Sequence, residues 1–207
     1  SKLWYQDHKL PKTDCVIIPG GFTYGDYLRA GALAKTAPIL KEVVEFANNG
    51  GLVIGICNGF QILTEVGLLP GALIKNTNIK FSCKDVHLKV LNNVTPFTGE
   101  FSASEIIQIP IAHSEGNYYT DRNTYDELMQ NNQIVFKYCN AAGIEDSESN
   151  PNGSIGNIAG ICNKNGNVLG MMPHPERNLD PLTGTCDGMK VFKSISQYIS
   201  SHNKEHA

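Results

Sequence analysis

The sequence predicts an α/β fold in which a mostly parallel sheet is flanked by helices and carries an antiparallel extension. Early in the chain, short continuous apolar runs alternate with apolar residues at helical spacing, which is typical of buried parallel strands and their covering helices. Later, two apolar runs flank a short polar turn, which is the pattern of a hairpin. With 207 residues, of which 41% are hydrophobic and 18% charged, the chain is long and apolar enough for one substantial core.

The first elements are two strands, each followed by a helix. Residues 15–18 form an apolar run that ends at a Pro-Gly-Gly turn, and residues 52–56 form a second run. Residues 38–49 place apolar side chains at helical spacing and stop at a Gly-Gly pair. Residues 58–66 show the same helical spacing directly after the second strand. This alternation indicates the parallel part of the sheet.

The later elements indicate the antiparallel part. Residues 86–90 alternate apolar and polar side chains, which predicts a half-exposed strand. The remaining predicted elements are strands at 106–111, 134–136, 158–162 and 168–172, and an amphipathic helix marked by Met189, Phe192, Ile195 and Ile199. Because no repeat or linker interrupts the pattern, we predict a single domain over residues 1–207.

Charge and composition argue against several classes of function. The formal net charge is -3 and no Lys/Arg run occurs, so neither nucleic acid nor a membrane surface is an expected ligand. The apolar stretches are far shorter than the roughly 20 residues of a membrane span, and the first residues lack a secretory apolar core. The six cysteines include no C-x-x-C pair, which favours free thiols. We therefore expect a soluble, cytoplasmic protein.

One cysteine has the setting of a catalytic nucleophile. Cys57 lies in a G-x-C-x-G sequence between a predicted strand and a predicted helix, which is the context of a nucleophile elbow. Glycines at positions 55 and 59 remove the Cβ atoms that would collide in so tight a turn. The thiol would then lie at a helix N-terminus, whose dipole favours the reactive thiolate.

A histidine and a glutamate have the spacing of a base and its orienting carboxylate. His174 and Glu176 stand in a Pro-His-Pro-Glu stretch after the last predicted strand. The prolines favour an extended backbone, in which residues two apart share a side. Glu176 would then accept from one ring nitrogen of His174 and leave the other nitrogen for a thiol, as in a catalytic triad.

The Pro-Gly-Gly turn after the first strand is a candidate oxyanion hole. At the carboxyl edge of a parallel sheet, a backbone N–H of this loop and the N–H of Asn58 would face a tetrahedral intermediate. An ordinary turn is an equally good interpretation. The loop is no Walker A sequence, since no Gly-Lys-Ser/Thr follows, so the chain shows no means of using ATP itself. Cys83 and His87 offer only two ligands where structural zinc usually needs four, so no metal site is predicted.

These stretches resemble class I, or triad-type, glutamine amidotransferases, and among them the ammonia-supplying subunits of purine biosynthesis. The G-x-C-x-G-x-Q and His-Pro-Glu elements are shared by the wider class. The matching stretches are PGGFTYGDYLRAGALA (19–34), GICNGFQIL (55–63), GLLPGAL (67–73), AHSEGNYY (112–119) and GNVLGMMPHPER (166–177). The resemblance implies a flavodoxin-like fold.

The resemblance also implies a role for each matching residue. Cys57 attacks the side-chain amide of L-glutamine to form a thioester, and His174, oriented by Glu176, moves the protons. The other implied site residues are Gly21 and Asn58 as oxyanion-hole donors, Gly20 and Gln61 as glutamine contacts, and His113 and Glu115 in a site role of unspecified kind. No cofactor is implied for this chain. Its ammonia would pass to a larger synthetase subunit, which uses ATP and Mg²⁺, with a small accessory subunit as a further partner.

Family members begin with a strand and a helix, including a P-G-S-N-C-D-like stretch, ahead of the segment at which this sequence starts. About 30 residues, the size of one βα unit, have no counterpart here. We therefore expect residues 1–207 to lack the family's first strand-helix unit. Either the natural chain is longer, or the sheet lacks one strand.

Two alternatives of other classes stay open at this point. A related α/β hydrolase with a cysteine elbow, such as an intracellular peptidase or glyoxalase-like protein, would use the same turn. Gln61 and the His-Pro-Glu element weigh against it. A non-catalytic binding module on the same fold is the second alternative, although all three triad positions are present.

Overall fold

A computed structural model of the protein describes residues 1–182 and 184–205. Its strands are β1 (Cys15–Ile18), β2 (Leu52–Ile56), β3 (Ala72–Ile74), β4 (Ser82–Val90), β5 (Ile106–His113), β6 (Asn117–Tyr119), β7 (Ile134–Cys139), β8 (Ile158–Cys162) and β9 (Val168–Met171). Its α-helices are α1 (Pro38–Asn48), α2 (Asn58–Glu65), α3 (Arg122–Gln130) and α4 (Asp187–Glu205). Short 3-10 helices lie at Thr23–Asp26, Ala34–Thr36, Ile155–Asn157 and Pro175–Arg177.

Seven strands of the described part of the chain form one mixed sheet in the order β1-β2-β9-β8-β7-β4-β5. Strands β1, β2 and β9 are parallel, whereas β9-β8, β8-β7, β7-β4 and β4-β5 pair antiparallel. Strands β3 and β6 form a separate antiparallel pair. The arrangement confirms the predicted α/β class, with the parallel strands on one side and the antiparallel extension on the other.

Buried strands and amphipathic helices make the core around the parallel strands. Every residue of β2 is buried, which explains why this strand is a continuous apolar run in the sequence. Helix α2 buries its first six residues, Asn58 to Leu63. Helix α1 packs a stripe of apolar side chains on the core, namely Ile39, Leu40, Val43 and Ala47. The elements that carry the elbow are therefore held from several sides.

The carboxyl ends of the three parallel strands meet at one edge of the sheet, where ligands bind in open α/β folds. Strand β1 is the outermost of the three and leads into the Pro-Gly-Gly loop. Strand β2 leads into the elbow, and β9 leads toward the Pro-His-Pro-Glu stretch. The topology thus brings together three segments that lie far apart in the sequence. That residues 1–207 form a single domain stays a prediction.

Most predicted elements begin at the predicted residue. This holds for α1, α2, β2, β5, β7, β8 and β9. Strand β4 begins four residues earlier than predicted, because its polar start pairs with β5, as Lys84 does opposite Ile111. Strands β3 and β6 and helix α3 were not predicted. The two strands have only three residues each, which is too short for a recognisable pattern. Helix α3 buries only Leu128 among its residues, so it has no strong hydrophobic periodicity.

The first turn of α2 approaches β1 so closely that position 59 has no room for a side chain. A Cβ atom on Gly59 would lie 2.0 Å from the backbone oxygen of Ile18. A Cβ atom on Gly55 would lie 2.6 Å from the carbonyl carbon and oxygen of Gly59. The flanking glycines therefore do remove colliding Cβ atoms, as the sequence predicts, and they let β2 turn directly into α2.

We predict that Gly59→Ala destabilises the protein, since the new methyl group overlaps backbone that cannot move independently of β1. The expected loss is about 1–3 kcal/mol, which lowers Tm by roughly 5 °C. Thermal denaturation followed by circular dichroism measures it. Gly99→Ala is the matched control, because a Cβ atom there meets nothing within 4 Å. Equal melting of the two variants would contradict the close approach.

Candidate active site

Cys57 occupies a strained backbone position between β2 and α2. Its φ is 51° and its ψ is -105°, values that residues with a side chain rarely adopt and that add about 1–3 kcal/mol of strain. The turn is held by its neighbours, since the Cys57 N–H donates to Met171 O at 2.8 Å and Gln61 N–H donates to Cys57 O at 3.2 Å. The strand-turn-helix context predicted for a nucleophile elbow is present.

His174 and Glu176 form a short hydrogen bond. The His174 Nδ1 and Glu176 Oε1 atoms are 2.6 Å apart. The pair does not lie on one extended segment, and that part of the prediction is wrong: Pro175 opens a 3-10 helix that also contains Glu176. Proline suits the first position of a helix, because its φ is already helical and its missing N–H is not needed there. His174 itself stays outside that helix, with φ -104° and ψ 86°.

The other ring nitrogen of His174 is left without a partner. His174 is 1% exposed, and its Nε2 is one of two buried side-chain nitrogen or oxygen atoms in the described residues that make no hydrogen bond. Such atoms are uncommon in folded proteins and need an explanation. In the neutral ring, with Glu176 accepting the proton of Nδ1, Nε2 carries a free lone pair. This is the state that a general base requires.

Gly20 lies against both the elbow and the base. A Cβ atom on Gly20 would be 2.8 Å from His174 Cε1 and 3.4 Å from Cys57 Cβ. The Pro-Gly-Gly loop, Cys57 and His174 therefore meet at one point. In addition, His174 N–H donates to Pro110 O of β5 at 2.8 Å, and the Cys57 thiol contacts Ala112 O of the same strand at 3.8 Å. Three parts of the fold fix the relative positions of thiol and imidazole.

Burial keeps the Cys57 thiol protonated in the free protein. Loss of water contact raises the pKa of this thiol from 9.0 to about 12. The backbone N–H of Asn58 and the charge of Arg177 lower the pKa, while Glu176 and Asp26 raise it further. The N-terminal end of α2 thus acts in the predicted direction, but burial outweighs it. The thiol therefore keeps its proton in the free protein, and a base must take it.

Asn58 and the Pro-Gly-Gly loop supply backbone donors beside Cys57. The backbone N–H of Asn58 lowers the pKa of the Cys57 thiol. Among the hydrogen bonds of the described residues, none uses the Gly21 N–H. The Asn58 side chain is 1% exposed and holds the neighbouring loop by accepting from the Thr23 hydroxyl. That Gly21 and Asn58 form an oxyanion hole stays a prediction.

Gln61 uses its amide to tie the site together. Its Oε1 accepts from Asn58 Nδ2 at 2.8 Å, and its Nε2 donates to Glu115 O at 2.7 Å. The Glu115 carboxylate accepts from Ala30 N–H at 3.1 Å. Gln61 is 4% exposed, and after these two bonds one lone pair of Oε1 and one N–H of Nε2 are left. Gln61 and Glu115 link the elbow to the segment after β5.

His113 ends β5 beside this site. Its ring is 3% exposed, and Nε2 lies 3.1 Å from Asn152 Nδ2. Burial, followed by the proximity of His174, lowers the pKa of His113 to about 4, so the ring is neutral. The structure thus brings every site residue predicted from the sequence to the carboxyl edge of the sheet or to the loops around it.

Some residues near the site were not singled out from the sequence. Thr23 and Asp26 contact the Asn58 side chain, the carboxylate of Asp26 at 3.4 Å from Asn58 Nδ2. Burial and the neighbouring Glu115 raise the pKa of Asp26. Their signal in the sequence is position alone, as polar residues in the loop after a buried strand. Asn152 has no such signal, because it lies about forty residues beyond His113 in an irregular segment.

Neither a metal cluster nor a membrane span is found in residues 1–182 and 184–205. No group of three or more His, Cys, Asp or Glu side chains there is arranged to hold a metal ion. No helix of that part of the chain has the length and apolar character needed to cross a bilayer.

Comparisons with known proteins agree with this geometry. Residues 1–203 match the sequence model described as the CobB/CobQ-like glutamine amidotransferase domain. Phosphoribosylformylglycinamidine synthase subunit PurQ of Moorella thermoacetica is 56% identical over 193 residues, which are 93% of this chain and 82% of that protein. The PurQ subunit of Pseudothermotoga lettingae is 52% identical over 206 residues, which are 99% of this chain and 86% of that protein.

Two solved structures are also similar to this chain. The structure of PurLQS from Thermotoga maritima aligns with a TM-score of 0.82 at 48% identity, over 93% of this chain and 83% of the matched chain. A glutamine amidotransferase from Thermotoga maritima aligns with a TM-score of 0.52 at 16% identity, over 95% of this chain and 67% of that chain. The second alignment shows a shared fold.

The raised pKa of Cys57 predicts a loss of stability in alkali. The unfolded chain releases this proton near pH 9.0 and the folded chain near pH 12, so the unfolded state binds fewer protons in between. The stabilisation is complete below pH 9 and falls as the pH rises above it. Between pH 8 and 10, the free energy of unfolding should drop about 1.4 kcal/mol more in the wild type than in Cys57→Ala.

Denaturant titrations at the two pH values measure this difference. Cys83→Ala is the control, because Cys83 is an exposed thiol and its removal should leave the wild-type pH dependence unchanged. An identical pH dependence in the wild type and Cys57→Ala would show that burial does not hold this proton.

Proposed function

This chain belongs to the CobB/CobQ-like glutamine amidotransferase family, and on that premise we propose that it is the glutamine-hydrolysing subunit of phosphoribosylformylglycinamidine synthase. It hydrolyses L-glutamine to glutamate and ammonia. The ammonia serves a synthetase that converts formylglycinamide ribonucleotide to its amidine in purine biosynthesis. The observation that carries the proposal is the Cys57 elbow beside a buried imidazole whose Nε2 has no partner and whose Nδ1 is bonded to Glu176.

The reaction follows from the protonation states. Cys57 bears its proton and His174 Nε2 has a free lone pair, so the imidazole takes the thiol proton as the sulfur attacks the side-chain carbonyl carbon of glutamine. The C–S bond forms and the carbonyl oxygen becomes an oxyanion. When the intermediate collapses, the C–N bond breaks and the imidazolium gives its proton to the departing ammonia. A γ-glutamyl thioester on Cys57 remains.

Water completes the cycle by the same route in reverse. His174 takes a proton from a water molecule, whose oxygen attacks the thioester carbon, and the proton returns to the sulfur as the C–S bond breaks. Glu176 orients the ring and stabilises its cationic form at each stage, as the carboxylate of a triad does. Glutamate is released.

Backbone N–H groups of the Pro-Gly-Gly loop and the elbow stabilise the oxyanion. Gly21 and Asn58 donate their N–H groups to the oxyanion of both intermediates, which lowers the barrier because these donors are already oriented. Gly20 and Gln61 hold the glutamine, Gly20 by leaving space beside His174 and Gln61 by fixing the segment that contains Glu115. His113 and Glu115 complete the wall of the site.

A peptidase-like hydrolase and a non-catalytic module are less well supported. A binding module has no use for a nucleophile in a strained turn, since such strain persists where a site needs it. A peptidase of the same fold would share the elbow, but relatives that are 56% and 52% identical are named as PurQ subunits. Glutamine is therefore the substrate that we propose.

The partner is a larger synthetase subunit, with a small accessory subunit beside it. A chain 48% identical to this one is part of the solved PurLQS of Thermotoga maritima. The present protein needs no cofactor for thioester chemistry. ATP and Mg²⁺ act in the synthetase. Ammonia released into water near pH 7 is protonated and lost as a nucleophile, so the synthetase must cover the site and receive it. The whole complex works in the cytoplasm.

Separating ammonia supply from ammonia use tests the proposal. In the reconstituted complex, Cys57→Ala should lose glutamine-dependent amidination by about 10³-fold or more, because no thioester forms. The same complex should keep its activity with added ammonium salt, because the synthetase is intact. Coupled assays with glutamine and with ammonium chloride measure the two rates.

Cys83→Ala, at an exposed thiol outside the site, is the control and should keep both activities. The proposal is wrong if the Cys57→Ala complex assembles normally and yet also fails with ammonium. It is equally wrong if glutamine-dependent activity survives that substitution.

A further inference from the structure

A buried asparagine behind the site, Asn152, uses all of its side-chain hydrogen-bonding capacity. It is 1% exposed. Its Nδ2 donates to Gly116 O at 2.8 Å and lies 3.1 Å from His113 Nε2 and 3.3 Å from the Tyr138 hydroxyl. Its Oδ1 accepts from Ser154 N–H at 3.1 Å and from the Ser154 hydroxyl at 2.7 Å. Because both lone pairs and both N–H groups have partners, Asn152 has no group left for a substrate.

A second buried asparagine, Asn76, holds the same stretch of backbone through other atoms. Asn76 is also 1% exposed. Its Oδ1 accepts from Gly116 N–H at 3.0 Å, and its Nδ2 donates to His113 O at 3.0 Å. Its own backbone N–H donates to Ser114 O at 2.9 Å. The turn formed by residues 113–116 is therefore held by the hydrogen bonds of two buried amides.

This turn is in direct contact with the elbow. Glu115 O accepts from Gln61 Nε2 at 2.7 Å, and Gln61 Oε1 accepts from Asn58 Nδ2 at 2.8 Å. The Glu115 carboxylate accepts from Ala30 N–H at 3.1 Å, in the segment that follows the Pro-Gly-Gly loop. A displacement of the turn would therefore reach the residue next to Cys57 through two hydrogen bonds.

The strand that enters the turn also contacts the catalytic pair. Pro110 O of β5 accepts from His174 N–H at 2.8 Å, and Ala112 O lies 3.8 Å from the Cys57 sulfur. His113 is the next residue along the chain and the last of β5. The turn is thus joined to the thiol and the imidazole by covalent bonds and short contacts, and its position affects both.

We propose that Asn152 is a positioning residue for the hydrolysis of glutamine. It holds the 113–116 turn where Glu115 and Gln61 fix the elbow that carries Cys57. The inference rests on the proposed glutaminase function and adds to it a residue that acts through the turn, without contact to the reacting atoms. A role limited to stability would not distinguish Asn152 from other buried, hydrogen-bonded asparagines of the fold.

An asparagine of that kind outside the site provides the comparison. Asn167 is 6% exposed and donates through Nδ2 to Ala47 O and to Gly51 O, both at 2.8 Å. It precedes β9, so it lies at the edge of the sheet opposite the elbow. Asn152→Ala and Asn167→Ala each remove a buried, hydrogen-bonded amide. For both variants, the experiment measures glutamine-dependent and ammonium-dependent amidination by the complex with the synthetase, together with Tm.

We expect both substitutions to lower Tm, because each leaves buried backbone groups without a partner. Only Asn152→Ala should lower kcat/KM for glutamine, by about 10- to 100-fold, because small displacements of reacting groups have effects of this size. Both complexes should keep their activity with ammonium. The inference is overturned if folded Asn152→Ala has the wild-type kcat/KM, if Asn167→Ala loses as much, or if the ammonium-dependent rate falls equally.

A milder pair of serine substitutions tests the same claim with less disturbance of the fold. The Ser154 hydroxyl donates to Asn152 Oδ1 and accepts from Tyr118 N–H at 3.0 Å, so Ser154→Ala loosens the asparagine. Ser194, a buried serine of α4 whose hydroxyl accepts from Glu100 N–H at 3.0 Å, is the matched control. Ser154→Ala should lower kcat/KM for glutamine by about 3- to 10-fold, and Ser194→Ala should leave it unchanged.

The wild-type complex in the same assays separates the two proposals. If it hydrolyses glutamine and the Asn152 and Ser154 variants match their controls, the positioning role is wrong and the proposed function stands. If the wild-type complex does not hydrolyse glutamine, the proposed function is wrong and this inference fails with it.

Discussion

The close approach of helix α2 to strand β1 is the constraint on which the rest of the site depends. Gly59 meets the Ile18 carbonyl at a distance that excludes any side chain. This contact brings the Pro-Gly-Gly loop after β1 next to the elbow after β2. Without it, Gly20 would not lie between Cys57 and His174, and the two proposed oxyanion donors would belong to separate surfaces. A single backbone contact thus brings the elbow, His174 and the Pro-Gly-Gly loop together.

Burial of the thiol and the imidazole explains why the Cys57 sulfur is not a permanent nucleophile in the free protein. The thiol is buried and keeps its proton, and the imidazole is buried with an unused lone pair. Proton transfer between them becomes favourable only as the new C–S bond removes negative charge from the sulfur. A subunit built this way does not carry a permanent thiolate that would react with other electrophiles. It also suits a complex in which a partner covers the site before hydrolysis proceeds.

Most of the candidate site can be predicted from the sequence because its reactive side chains lie in short local motifs. The Gly-x-Cys-x-Gly turn and the Pro-His-Pro-Glu stretch each combine rigid backbone with a reactive side chain, so their roles can be inferred without coordinates. Other features depend on distant contacts. Asn152 contacts the ring of His113 although 39 residues separate them in the sequence. The pKa of Cys57 likewise depends on burial by the whole fold, which the local helix dipole does not reveal. Helix α3 escaped prediction because it buries Leu128 alone among its residues.

We propose that Cys57 carries the glutamyl group during turnover, and direct trapping of that intermediate is the most direct test. The complex with the synthetase would be quenched in acid while it consumes isotopically labelled glutamine, then digested and analysed by mass spectrometry. Labelled glutamyl adduct should be found on the peptide that contains Cys57 and be released by hydroxylamine, as a thioester is. Adduct on another cysteine, or turnover of glutamine with no adduct on Cys57 under conditions where thioesters survive, would contradict the claim.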